Sequence, residues 1–255
     1  MVFSHTAIPG ERHTIAWSAD SAGAITRFGR WIFISTALTF IAAQGDRVFL
    51  WRVLDDAALG LFSIATMLAM AVDDLIQVFA SRLLFPLFVQ LKDRGEDEFR
   101  RLVLKVRGVL LILGLPLIWT LAIFGPQLVD LLYDDRHLKA GWMLQILACG
   151  ACVSLLLRTT SPVLLARGDS FRYMVLLLAR STVLIVAMFT GYAWGDVFGL
   201  VVAIALTPAL SYPAFIWAVR RHNVYSTTMD LAAMFLSIAI IGGGWLLTGG
   251  LPQPG

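Results

Sequence analysis

The stretch FIAAQGDRVFLW, Phe40 to Trp51, decides how this chain is read. Asp46 and Arg47 stand side by side inside an apolar run that extends from Trp31 to Val53. The run has the length of a bilayer-spanning helix, about 20 residues. Two charges in such a helix are costly, about 2.5 to 3.5 kcal/mol each near the centre. They are kept where they face a bundle interior or a water-filled cavity, or where they pair.

The rest of the chain places this run in a larger pattern. Of 255 residues, 58% are hydrophobic and 15% are charged, and the mean hydropathy is +0.79. Soluble domains are nearer half apolar and a quarter charged. The composition predicts an all-α polytopic membrane protein with about seven transmembrane helices. The spans are expected at residues 31–53, 59–81, 108–124, 141–157, 171–194, 197–219 and 231–248. A formal charge of +3 gives no reason to expect a nucleic-acid partner.

Basic residues alternate between the connections. Arg12, Arg27 and Arg30 precede the first span, and Lys92, Arg94, Arg100, Arg101, Lys105 and Arg107 lie between the second and third. Arg158, Arg167 and Arg172 lie between the fourth and fifth, and Arg220 and Arg221 between the sixth and seventh. The other connections are poor in Lys and Arg and carry Asp55, Asp56, Asp130 and Asp196. The positive-inside rule then predicts a cytoplasmic N-terminus and an external C-terminus. The segment from Ser81 to Arg101 reads as a helix end that bends near Pro86 and runs into a solvated, charged loop, with a surface-lying amphipathic piece as the alternative.

Charges at membrane depth are the candidate site. They are Asp46 and Arg47 in the first span, Asp73 and Asp74 in the second, and Arg180 in the fifth. At 1.5 Å per residue, Asp46 and Arg47 lie about 15 Å from the link near Asp56, and Asp73 about 26 Å. A direct Arg47–Asp73 bridge therefore needs a strong tilt, and Asp46 is the expected local partner of Arg47. Asp73, Asp74 and Arg180 share a depth, so Arg180 is expected to pair with Asp73 or Asp74. The two aspartates point about 100° apart on a helix and do not aim at one ligand atom. The arginines suit an anionic headgroup, and the aspartates are coupling-ion or charge-pair candidates.

Other chemistry finds little support. Cys149 and Cys152 form C-x-x-C, but without a second pair or nearby His they read as small packing residues rather than metal ligands. The four histidines fall in terminal or loop segments, and no phosphate loop is present. No cofactor, metal or catalytic residue is expected, and the chain does not read as an enzyme. The competing reading, a membrane enzyme such as a polymerase or ligase, rests on Asp134, Asp135, Arg136 and His137 alone. An inactive scaffold is the third.

Several segments together resemble one family. RFGRWIFISTALTFIAAQGDRVFLWRVLDDAALGLFSIATMLA, from Arg27, resembles the start of the second helical lobe of bacterial polysaccharide exporters. These are the oligosaccharide-lipid flippases of the multidrug/oligosaccharidyl-lipid/polysaccharide exporter superfamily. LFPLFVQL at Leu84–Leu91, LLYDDRHLKAGWMLQILACG at Leu131–Gly150 and SPVLLARGDS at Ser161–Ser170 follow in the family's order. The resemblance implies two six-helix lobes around a cavity that opens alternately to each side. It implies export of polyprenyl-diphosphate-linked oligosaccharide repeat units across the bacterial plasma (inner) membrane, for lipopolysaccharide, exopolysaccharide or capsule. By the resemblance, residues 1–26 correspond to the cytoplasmic segment between lobes, 27–221 to a six-helix C-terminal lobe and 222–255 to an extra C-terminal helix with a short external tail. A missing N-terminal lobe or a second subunit is then the expected protein partner. The polar first 30 residues likewise read as an internal loop rather than as a signal peptide.

Overall fold

The computed structural model describes residues 19–79, 95–133, 139–222, 224–249 and 252. Within α1, the side chains of residues 20–22, 24, 25, 27, 28, 35, 38, 39 and 41–47 fall outside this description, and so do those of residues 76, 77 and 79 in α2. The expected bend at Pro86 and the segment from Asp134 to His137 also lie outside the described residues. The helices are α1 (Ala19–Val53), α2 (Asp56–Phe79), α3 (Glu96–Leu132), α4 (Ala140–Arg158), α5 (Pro162–Ala166), α6 (Ser170–Leu210), α7 (Tyr212–Arg220) and α8 (Thr227–Thr248). The described residues form no strand. The protein is an all-α polytopic membrane protein.

Among the described residues, five helical stretches are long and apolar enough to cross a membrane: Asp56–Leu75, Glu96–Leu132, Ala140–Ala166, Ser170–Arg220 and Thr227–Thr248. Two facts separate these five from the seven expected spans. The stretch from Ser170 contains a reversal at Gly195 and Asp196, whose backbone leaves the helical region. Asp196 has φ 47 there, a conformation that side chains with a Cβ rarely adopt. A straight helix would separate residues 191 and 203 by about 18 Å. Instead, a Cβ placed on Gly191 would collide with the Ala203 Cβ and the Gly199 carbonyl. The two arms of α6 thus fold back on each other, backbone against backbone, and make two crossings. The second fact concerns α1, which has ample length at 35 residues. Gln44, Asp46 and Arg47 lower its hydropathy, so it is absent from the five.

The charged run after the second span is corrected at its C-terminal end. It folds as helix from Glu96, twelve residues before the expected third span. Phe99, Val103, Arg107, Leu110 and Leu111 recur at helical spacing and are all buried, so one face of the run packs inward while the other carries its charge. Glu96, Asp97 and Glu98 occupy the first turn, where negative charge complements the helix dipole. Further along, α3 kinks at Phe124, two residues before Pro126.

The helix α4 is the axis of the bundle, with 16 of its 19 residues buried. Helices in lipid gain no hydrophobic drive from meeting, so close packing of small side chains must hold them. Its middle, ACGACVS, provides them: a Cβ on Gly150 would collide with the backbone of Ala205. Cys149 and Cys152 are free thiols in this run. Around the axis lie α2, α3, α6 and α8. The helix α1 lies on the first arm of α6 and runs parallel to it. Trp31 meets Phe171 at 4.9 Å, and eighteen residues on in both helices Phe49 meets Phe189 at 4.5 Å.

Candidate functional site

Four elements line a half-open cavity of about 230 Å³. α1 contributes Leu50, α2 Phe62 to Asp73, α4 Leu147 to Ser154, and both arms of α6 Arg180 to Pro208. Its walls are mostly apolar. The polar groups that line it are Thr66, Asp73, Ser154, Arg180 and Thr207.

Asp73 and Ser154 meet because α2 and α4 pack side by side. The Ser154 hydroxyl donates to Asp73 Oδ2 at 3.0 Å. Arg158 Nε reaches the same oxygen at 3.0 Å. Arg158 is the last residue of α4, yet it sits beside Ser154, one turn back, with Nε to Oγ at 3.4 Å. Helical side chains lean toward the N-terminus, which carries its guanidinium into the bundle. The ion-pair partner of Asp73 is therefore Arg158, a residue the sequence pattern assigned only to a basic loop. Arg180 lines the same cavity as Asp73, so the two do share a depth. No direct ion pair joins them among the described contacts.

The second aspartate behaves differently. Asp74 is exposed on α2 while Asp73 is buried, as the 100° turn between neighbours requires. Asp46 and Arg47 lie in α1, and their side chains lie outside the described part of the structure. Two further cavity atoms are notable. Asp73 Oδ1 and Thr66 Oγ1 are buried without a hydrogen-bond partner. Thr207 spends its hydroxyl on the Ala203 carbonyl at 3.2 Å.

A second charge pair lies on the other side of the α4 terminus. Arg107 Nη2 meets Asp230 Oδ1 at 2.6 Å and donates to the Leu156 carbonyl at 3.1 Å. Arg107 Nε donates to the Thr159 hydroxyl at 3.4 Å. The Tyr212 hydroxyl donates to Asp230 Oδ2 at 2.6 Å and lies 3.3 Å from the Tyr225 hydroxyl. This network ties α3, α4, α7 and α8 at one end of the bundle. Nearer the middle and far end of α8, Trp119 Nε1 donates to Ser237 Oγ and Trp245 Nε1 to the Ala122 carbonyl. The sequence pattern gave Arg107 only a topological role and passed over Asp230. The available signal was an acidic residue one turn into an apolar helix.

The same end gathers further basic residues. Arg167 makes a two-pronged bond with Glu96, at 2.8 and 3.0 Å, and covers the Phe99 ring at 4.2 Å. Arg172 lies over Trp217 at 5.3 Å. His222 Nε2 approaches Asp169 Oδ2 at 3.0 Å, and Asp169 also caps α6 by accepting from the Arg172 amide.

A buried carboxylate between arginines, inside apolar spans, has the chemistry of a polar substrate pathway through lipid. Comparison with known proteins gives a coarser result. Neither a curated protein nor a solved structure matches the chain. A protein-family model described as "Polysaccharide biosynthesis protein" matches residues 1–141, more than half of the chain, a range that holds α1, α2, α3 and Asp73. The chain belongs to the polysaccharide biosynthesis protein family.

Proposed function

We propose that the chain is the C-terminal half of a flippase that exports lipid-linked oligosaccharide repeat units for surface polysaccharide synthesis. The observation that carries this reading is the polar cavity within the apolar bundle. Among the described residues, Asp73 and Arg180 line it, and Arg158 pairs with Asp73 from beside the lining. Two cations and one anion sum to one positive charge. Such a site attracts an anionic headgroup and repels a cation. A polyprenyl-diphosphate sugar presents that anionic headgroup, with Arg180 as the arginine left to receive it. A coupling cation at Asp73 is disfavoured by the two arginines beside it.

On this reading the chain makes and breaks no covalent bond. It moves its substrate outward across the bacterial inner membrane, with the basic end of the bundle cytoplasmic. Its partner is a second lobe that completes the central cavity, because one lobe alone does not alternate access between two sides. The test is complementation of a strain lacking the chain, with the sidedness of the lipid-linked intermediate assayed. Wild type is expected to move the intermediate outward, and Arg180→Met to leave it in the inner leaflet at unchanged protein level. Outward movement at wild-type rate by Arg180→Met would sink the role of Arg180. An intermediate that reaches the outer leaflet in the absence of the chain would sink the export reading.

A further inference from the structure

A second cavity, half-open and almost wholly apolar, lies between α4 and α8, with a volume of about 340 Å³. On α4 it is lined by Cys149, Cys152 and Leu156. The cavity of Asp73 is lined instead by Leu147, Ala151 and Ser154 of the same helix. At 100° per residue the two sets point to opposite sides of α4. The axis of the bundle thus stands between this groove and a headgroup at Arg180. The polar groups in its wall are already used. Cys149 Sγ donates to the Gln145 carbonyl at 3.2 Å, and Trp245 Nε1 to the Ala122 carbonyl at 2.8 Å. The Ser237 hydroxyl donates to the Ala233 carbonyl at 2.7 Å and accepts from Trp119 Nε1 at 3.0 Å. A polar ligand finds no partner among these groups and would give up its bonds to water on entering. The chemistry that fits is hydrocarbon.

Three glycines in a row, Gly242 to Gly244, explain how the groove forms. A Cβ on Gly244 would collide with the Ile123 side chain of α3, so this glycine lets α8 lie close on α3. Gly242 faces the groove, and among the described residues no atom lies within 4 Å of a Cβ placed there. Gly242 therefore keeps open a space that any other residue would fill.

The dimensions select the kind of hydrocarbon. The α8 wall runs from Ala233 to Trp245, about 18 Å at 1.5 Å per residue. That length fits inside the hydrocarbon core of a bilayer, about 30 Å thick, and follows the direction in which lipid tails lie. A volume of about 340 Å³ spread over about 18 Å gives a mean cross-section of about 19 Å². One extended, unbranched chain fills such a slot. A helix, about 10 Å across, does not enter it. A polyprenyl chain, with a methyl branch on every unit, fits it poorly. An empty slot would deprive its walls of contacts, at a junction where helices in lipid gain no hydrophobic drive from meeting.

We propose that the groove binds one unbranched acyl chain of a bilayer phospholipid, which wedges between α4 and α8. The chain is recognised by its shape, and the headgroup stays at the membrane surface. The site is independent of the export reading, since neither Asp73 nor Arg180 takes part in it.

The test is native mass spectrometry of the full chain, purified in detergent and delipidated. The probes are dipalmitoyl phosphatidylglycerol, dipalmitoyl phosphatidylcholine and undecaprenyl phosphate. One phospholipid per chain is expected to stay bound, the two headgroups within about twofold of each other and undecaprenyl phosphate roughly tenfold weaker. Gly242→Leu puts a side chain into the groove and should lower phospholipid retention about tenfold. It should melt no lower than wild type in lipid-free detergent, because leucine favours a helix over glycine. Ile238→Trp, at a position 70% exposed, fills the groove from its rim and should lower retention likewise. Added phospholipid should raise the melting midpoint of wild type and leave that of Gly242→Leu where it is. Retention unchanged in both variants would overturn the proposal, as would a wild-type chain that keeps no lipid. Tighter binding of undecaprenyl phosphate would overturn it too and assign the groove to a substrate tail. So would a dimer that Gly242→Leu dissociates, which would assign the groove to a second copy of the chain.

Discussion

Two buried ion pairs flank the last turns of α4, and they serve different ends. Arg107–Asp230 is closed, with side-chain exposures of 0% and 1%. Its surroundings are occupied by the Tyr212 hydroxyl, the Leu156 carbonyl and the Thr159 hydroxyl. Arg158–Asp73 is more open, at 23% and 7%, and borders a cavity. Each pair leaves a buried atom without a hydrogen-bond partner, Arg107 Nη1 in the first and Asp73 Oδ1 in the second. The chemistry of the pairs is the same. What separates a fastener from a site is whether space remains beside the charges.

The largest effect is expected at the closed pair. Asp230→Ala leaves Arg107 buried without its counter-ion and should destabilise the fold by about 3 to 5 kcal/mol. Thermal unfolding in detergent would show it as a loss of the folded protein or a much lower midpoint. The double change Arg107→Met with Asp230→Leu should recover most of that loss, because apolar groups of similar volume replace a buried pair at little cost. A double variant as unstable as the single one would mean that the Tyr212 and Leu156 bonds, and not the charges, hold this end together.

At the open pair the expected effect on folding is smaller and the effect on transport is greater. Asp73→Arg should impair export, and adding Arg158→Asp should restore part of it. Asp73→Arg with Arg180→Asp should restore none. Rescue by the Arg180 exchange instead would transfer the pairing to Arg180 and remove the distinction drawn between the two arginines at the cavity. The smallest effect is expected away from both pairs. The Glu96 side chain is 72% exposed opposite Arg167, and exposed pairs contribute about 0 to 1 kcal/mol. Glu96→Gln should therefore leave the unfolding midpoint nearly unchanged. A large shift would show that burial is a poor guide to which pairs hold this protein.

Different parts of this arrangement were legible in the sequence to different degrees. Apolar length placed helices across nearly all the expected spans. Counting rise per residue put Asp73 and Arg180 at one depth, and both line one cavity. The same counting separated the roles of Asp73 and Asp74, one buried and one exposed. Arg158 was hidden because its backbone ends a helix while its guanidinium reaches a full turn back into the bundle. Arg107 was hidden among loop charges that proved to be the start of α3. Both errors share a cause: a long basic side chain at a helix end satisfies the positive-inside pattern wherever its tip points.

The amino-acid sequence by itself determined that the chain crosses a membrane as helices, where charge is rare, and which end of each helix is basic. Those properties follow from hydropathy, spacing and local charge, each a sum over neighbours in the chain. Tertiary structure alone decided which charges meet. It chose Arg158 over Arg180 for Asp73 and joined Arg107 to Asp230 across 123 positions of chain. It also folded α6 on itself at Asp196 and left Thr66 without a partner beside a cavity. Such pairings depend on how small residues in α4 let neighbouring backbones approach, a distance that no local pattern encodes.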